Sequence, residues 1–160
     1  MKRLYERSSR RSEPGALDPE VRAAIAAHAQ EHLLGNALGT ARWCCVTRSV
    51  RLRRPGPLAR LTGSGDPDGE HTTVALLLPT YLVVAVAGKR RGVHVRSIWL
   101  GDVVLDALPP LVPDTGISAT GPWSGMPEAA SFHLALGDDA DGKDFLTALR
   151  DAVAAAKSGG

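Results

Sequence analysis

Aromatic residues make up only 4% of this chain, so its core has to be built from Leu, Val and Ala. Cysteine is almost missing as well: the two present, Cys44 and Cys45, are neighbours. Neighbours on a strand point to opposite faces, so a bond between them would distort the backbone. The pair reads as two reduced thiols, one of them buried, and not as a redox switch. No apolar run can span a membrane as a helix. The longest, residues 74–87, is interrupted by Pro79 and falls short of the roughly 20 residues needed. The first residues are charged and lack an apolar stretch, so no secretory signal is expected and the default location is the cytoplasm. There is no glycine-rich phosphate loop in a strand–loop–helix setting, and Ser124 sits on no nucleophile elbow. The expectation is a non-enzyme with no cofactor.

What remains is enough for one domain. The chain has 160 residues, 44% apolar and 22% charged, the proportions of an ordinary globular protein. Its formal charge of +2 hides an asymmetry. Residues 1–60 hold twelve Lys/Arg against five Asp/Glu, and residues 61–160 hold seven against twelve. Fifteen of the basic residues are Arg, and Ala, Gly and Pro are abundant, a bias that a GC-rich genome also produces.

Residues 1–16 are polar, basic and without periodicity, which predicts a disordered tail. Asp18, Pro19 and Glu20 form a helix start: a capping carboxylate, Pro at the first helical position, an acid in the first turn. The helix is predicted over 18–34, stopped by Gly35 and Asn36, with Val21, Ile25, His28 and His32 on one face. Residues 43–52 predict a first strand. One parity carries Cys44, Val46, Val50 and Leu52, interrupted by Arg48; the other is polar, with Thr47, Ser49, Arg51 and Arg53. Residues 54–70 predict a long, mobile loop.

The densest signal runs from 74 to 108. Apolar segments 74–78, 82–87, 93–100 and 103–105 follow one another across short turns, and such turns imply antiparallel pairing. Residues 116–123 and 131–136 add two more strands. Residues 143–157 form an amphipathic helix with Phe145, Leu149, Ala152, Val153 and Ala156 on one stripe. Residues 158–160 fray. The predicted class is mainly β (α+β): a bent antiparallel sheet, or partly open barrel, of about seven strands, capped by the C-terminal helix and preceded by an added N-terminal helix, as one domain over 17–157.

The run ALLLPTYLVV (75–84), the run VRSIWLGDV (95–103) and the closing helix resemble the strand–turn–strand signature and cap of bacterial pleckstrin-homology-like, or GRAM-like, domains. The resemblance covers residues 43–157 and implies a bent sheet with a capping helix. The phosphoinositide-binding variant of that family carries a Lys and an R-x-R pair around its first hairpin. Arg51 and Arg53 supply such a pair here, and the Lys is absent.

Two constellations stand out for chemistry. Arg48, Arg51, Arg53 and Arg54, with Lys89, Arg90 and Arg91 on a turn, are candidates for an anion- or partner-binding face. Trp43 is the one aromatic near them, too few for base stacking, which argues against nucleic acid. His28, Glu31 and His32 fit H-x-x-E-H, a metalloprotease spacing, but two His fall short of three protein ligands and no further ligand helix is visible, so no metal is expected. Trp99 and Trp123 read as core or sheet-edge packing. The leading expectation is a non-catalytic interaction module of a bacterial cytoplasm with a protein or peptide partner. The alternatives are electrostatic docking of the Arg-rich face to an anionic membrane surface and, last, a small metal-dependent hydrolase. Self-association stays open.

Overall fold

Strand β2 (Trp43–Arg51) organises the molecule because both of its faces are buried. The computed structural model describes residues 3–52 and 68–159. In it β2 pairs on one side with β1 (Tyr5–Arg11) and on the other with β3 (Glu70–Leu77), all antiparallel. β3 continues to β4 (Tyr81–Gly88) and β4 to β5 (Gly92–Trp99), giving a five-stranded sheet in the order β1-β2-β3-β4-β5. A second sheet holds β6 (Val104–Asp106), β7 (Ile117–Gly121) and β8 (Ala130–Leu134), in that order. The helices are α1 (Pro19–Glu31), the short α2 (Ala37–Thr40) and the C-terminal α3 (Ala140–Ser158). The expected α+β class, antiparallel pairing and two helices are present. The strands form two sheets that do not close into a barrel, and among the described residues they number eight, not seven.

Strand alternation separates two cores. One face of the large sheet presents Cys44, Val46, Val74, Leu76, Val83 and Ala85, which pack with Leu17, Val21, Ile25 and Ala29 at α1. The other presents Cys45, Ala75, Leu77, Leu82 and Ile98, which pack with Ile117, Ala119 and Leu134 of the small sheet and with Phe145, Leu149 and Val153 of α3. Leu149 and Phe145 are fully buried, each worth about 1.5–3 kcal/mol in apolar burial. Cys44 and Cys45 are both buried free thiols, one in each core, where a single buried thiol was expected; α1 covers the face that would otherwise be open. Burial, with the neighbouring Cys45, pushes the Cys44 thiol up to about 12, which makes it inert.

Several boundaries differ from the sequence expectation. The tail predicted to be disordered contains β1, in full register with β2 from Tyr5 opposite Arg51 to Arg11 opposite Cys45. α1 ends at Glu31, three residues early, because Leu33 adopts a left-handed φ of 59°. Its start is as predicted: Asp18 accepts the Glu20 N–H at 2.9 Å. α3 starts at Ala140, inside the stretch read as a break, because Asp139 caps it by accepting the Gly142 N–H. The predicted loop 54–70 lies outside the described residues up to 67, and Glu70 already belongs to β3. Thr47 and Ser49, on the polar parity of β2, are buried. No described helix is long and apolar enough to cross a membrane.

Candidate functional site

The two edges of the large sheet differ in how their backbone groups are used. β1 needs partners along its outer edge, and the N-cap and first turn of α3 supply them as carboxylates. Asp139 accepts the Ser9 N–H at 2.8 Å and Asp141 accepts the Arg11 N–H at 2.8 Å. Gly137 donates its N–H to Ser9 Oγ at 2.9 Å, and a Cβ on Gly137 would come within 3.0 Å of the Arg7 carbonyl. Ser9 Oγ in turn lies 2.6 Å from Thr47 Oγ1, which explains why Thr47 is buried. Beside them Arg7 grips Asp114 with two N–H groups at 2.8 and 2.9 Å, also donates to Ser49, and lies over the Tyr5 ring. Burial pushes the Asp114 carboxyl up, but the Arg7 hydrogen bonds and charge, the Thr115 N–H and His133 outweigh it and hold the group below the usual carboxylate range.

β5 forms the opposite edge. In an antiparallel pair, alternate residues turn their backbone groups away from the partner strand. Ser97 is one of these: its N–H donates to Ser124 Oγ at 2.9 Å and its carbonyl accepts the Ser124 N–H at 2.9 Å. Val93 and Val95 share its parity. Among the described residues their backbone groups meet no partner beyond the strand.

The basic residues singled out in the sequence distribute around this open side and the groove beyond it. Lys89, Arg90 and Arg91 form the β4–β5 turn, directly before the open stretch. Asp68 braces that turn, accepting the Arg90 N–H at 2.8 Å and the Arg91 N–H and Nε at 3.3 Å each. These bonds, the Arg90 N–H first, hold the Asp68 carboxyl below its ordinary value. Arg48 lies on the α1 face and forms a forked pair with Glu70, one arm at 3.0 Å. Arg51 ends β2 opposite Tyr5. Arg53 and Arg54 lie outside the described residues. The cluster is therefore divided: Arg48 and Lys89 line one groove, while Arg91 lines a different cleft.

The groove, of about 850 Å³, occupies the part of the α1 face that the helix leaves uncovered. Val46, Val74, Ala87 and Val93 form its floor. Its rim mixes Arg10, Arg48 and Lys89 with Asp18, Glu20 and Glu70, so both signs of charge border it. The cleft, of about 160 Å³, lies on the other face between β4–β5 and β8. There Arg91, His94, Arg96 and His133 meet Val84, Val86, Trp123, Phe132 and Leu134. His94, Arg96 and His133 were not singled out from sequence. The available signal was the alternation of β5, which puts His94 and Arg96 on one parity and Val93 and Val95 on the other.

His28 is spent on packing: it is buried, and its Nε2 lies 2.9 Å from Ser97 Oγ. His32 stacks on it with ring centres 4.2 Å apart. Among the described residues, no group of three or more His, Cys, Asp or Glu is placed to hold a metal ion. Trp123 packs in the core and Trp99, 54% exposed, packs beside Tyr81 at the sheet edge, the two placings expected for them. No family model, curated protein or solved structure matches this chain.

Proposed function

We propose that this protein is a non-catalytic interaction module that accepts an extended acidic peptide as an added strand on β5. The observation that carries the reading is the contrast in edge protection. Native sheets cover, charge or shorten their edges, because an uncovered edge is a template for pairing. β1 is covered by two carboxylates, while β5 keeps the backbone groups of Val93 and Val95 open. Strand addition draws affinity from such groups and specificity from the side chains around them. The side chains around them here are Lys89, Arg90, His94 and Arg96, which select for acidic residues and speed encounter at low salt.

The pleckstrin-homology-like resemblance belongs to the same reading, supported by the order of antiparallel strands followed by a helix on the core. A reducing, cytoplasmic setting agrees with two buried free thiols. Docking to an anionic membrane is the weaker reading, since Arg48 is committed to Glu70 and Arg91 to Asp68.

The test is fluorescence anisotropy with a labelled synthetic peptide alternating valine and glutamate, beside its valine–lysine counterpart. The acidic peptide should bind, more weakly as salt rises. Val95→Pro, which removes an outward N–H, should abolish binding, and Lys89→Glu with Arg90→Glu should weaken it by at least tenfold. Equal binding by Val95→Pro, or preference for the basic peptide, would sink the proposal. Binding to phosphatidylserine vesicles with no peptide binding would replace it with the membrane reading.

A further inference from the structure

We propose that the cleft between β5 and β8 is a binding site for a small organic anion, a carboxylate carried on an aromatic or branched apolar body of about benzoate size. The peptide reading draws its affinity from the backbone edge of β5, whereas this site is the cleft on the sheet face; His94 and Arg96 border both.

Size comes first. A dry apolar cavity of about 150 Å³ accepts benzene, and this cleft measures about 160 Å³. Nucleotides and other drug-sized ligands need clefts of about 300 Å³ or more. The apolar wall is rigid. Trp123 is buried, its indole N–H donates to the Ala119 carbonyl at 3.2 Å, and its ring meets Phe132 edge-to-face at 5.6 Å. Val84, Val86 and Leu134 complete a surface that fits a ring or a branched chain.

Charge decides the rest. Among the described residues, every ionisable side chain lining the cleft is Arg or His, and none is a carboxylate. The acids nearby are already engaged: Asp68 with Arg91, and Asp114 with Arg7 and, at 3.7 Å, with His133 Nδ1. Arg96 differs. Among the described residues no acid pairs with it, and its guanidinium carbon sits 4.0 Å from the centre of the Phe132 ring. Stacking in this way fixes the plane of a guanidinium while leaving its edge N–H groups free for a forked bond to a carboxylate. A cationic fork beside an aromatic wall, in a space the size of one ring, matches a carboxylate on a ring-sized body better than a bare inorganic ion, which would leave the apolar wall unused.

The experiment is a titration of the full ¹⁵N-labelled chain followed by NMR, with benzoate, benzyl alcohol and inorganic phosphate as separate arms. Benzoate should shift the Trp123 indole signal and the amides of His94, Arg96 and Phe132 in a saturable way. Benzyl alcohol, of similar shape and neutral, should bind at least tenfold more weakly, and phosphate should not saturate. Arg96→Gln, at an exposed position, should keep the dispersed spectrum of the folded chain and weaken benzoate by tenfold or more; Arg96→Lys should recover part of the loss. No saturable shift with benzoate, or unchanged affinity in Arg96→Gln, would overturn the proposal. Phosphate binding as tightly as benzoate would overturn the ligand class.

Discussion

The first and fifth strands of the large sheet are both edges, yet they solve the edge problem in opposite ways. β1 is polar throughout and closed: Asp139 and Asp141 take up its Ser9 and Arg11 N–H groups, and Arg7 is tied to Asp114. β5 alternates apolar and basic residues, and among the described residues the backbone groups of Val93 and Val95 stay open while those of Ser97 are held. The difference bears on the charge asymmetry of the chain. Part of the basic first stretch is matched to the acidic last stretch, through Arg3 with Asp138 and Arg7 with Asp114, while Asp139 and Asp141 take up N–H groups of the β1 backbone. Those charges hold the fold together. The basic residues Lys89, Arg90 and Arg96 of the β4–β5 turn and β5 belong to the other category, since among the described residues no acid side chain pairs with them.

If the closed edge is structural, its residues govern stability and not binding. The largest expected effect is at Arg7, whose side chain is 4% exposed against 10% for Asp114. Removing one member of a buried pair leaves an uncompensated charge and costs about 3–5 kcal/mol. Arg7→Ala should therefore lower the urea midpoint sharply. Because the Asp114 carboxyl is held below its ordinary value, the stability it contributes is present at neutral pH and is lost as pH falls through its depressed range. Arg7→Ala should remove part of that acid sensitivity. Wild-type stability in this variant would show that the closed edge is decorative.

Asp139 is the next largest. One of its oxygens caps α3 through Gly142, and the other accepts the Ser9 N–H. Loss of a cap costs about 1 kcal/mol and an orphaned backbone N–H about 1–3 kcal/mol. Asp139→Ala should destabilise by about 2–4 kcal/mol on those terms, with faster amide exchange at Ser9. Asp139→Asn should recover part of it. Exchange at Ser9 unchanged from wild type would mean that the carboxylate does not hold the edge.

This comparison also marks what the sequence could convey. β3, β4 and β5 were legible because their apolar runs are bounded by Pro79 and by the Gly88 and Gly92 turn. α3 was legible from its stripe, and α1 from its Asp–Pro–Glu start. β1 was not, because YERSSRR holds no aliphatic residue. Its side chains bury by alternation against polar partners, Arg7 on Ser49 and Ser9 on Thr47, and that layer exists only once β2 and the Asp-rich segment are in place. The same layer explains why Thr47 and Ser49 are buried. At the site, Lys89, Arg90 and Arg91 were legible as a charged turn. The sharing of one groove by Lys89 and Arg48, the placing of Arg91 in the other cleft, and the joining of Arg96 to Phe132 depend on which parity faces which sheet.

On the open edge the expected effects on stability are smaller. Val95→Pro removes an N–H that faces away from β4, so no ladder bond is lost, and Pro is tolerated at such edge positions. The cost should be about 1 kcal/mol, from lost packing of a half-buried Val. Thermal melts of Val95→Pro and Asp139→Ala, measured side by side with peptide binding, test the contrast directly. Asp139→Ala should lose stability and keep binding, and Val95→Pro should do the reverse. A Val95→Pro chain that fails to fold would place β5 among the structural edges.

The smallest effect belongs to the point where the open edge becomes closed. Ser97 is held on its backbone side by Ser124 and on its side chain by His28, which approaches from α1. Burial, and then the neighbouring His32, lower the His28 pKa from its ordinary 6.5, against a small opposing effect of Glu31. The sign follows from proton uptake. Below about pH 6.5 the unfolded chain protonates this histidine while the folded chain resists, so the unfolded state binds more protons and stability falls with pH. The contribution is whole above the ordinary value and is lost on acidification towards the depressed one. His28→Gln keeps a hydrogen-bonding group for Ser97 and cannot titrate. Its urea-unfolding free energy should fall less than that of wild type between neutral pH and the depressed His28 value, and the two curves should run parallel above pH 7. Parallel curves throughout would show that the histidine charges freely in the fold, and that the His28–Ser97 contact does not fix where β5 opens.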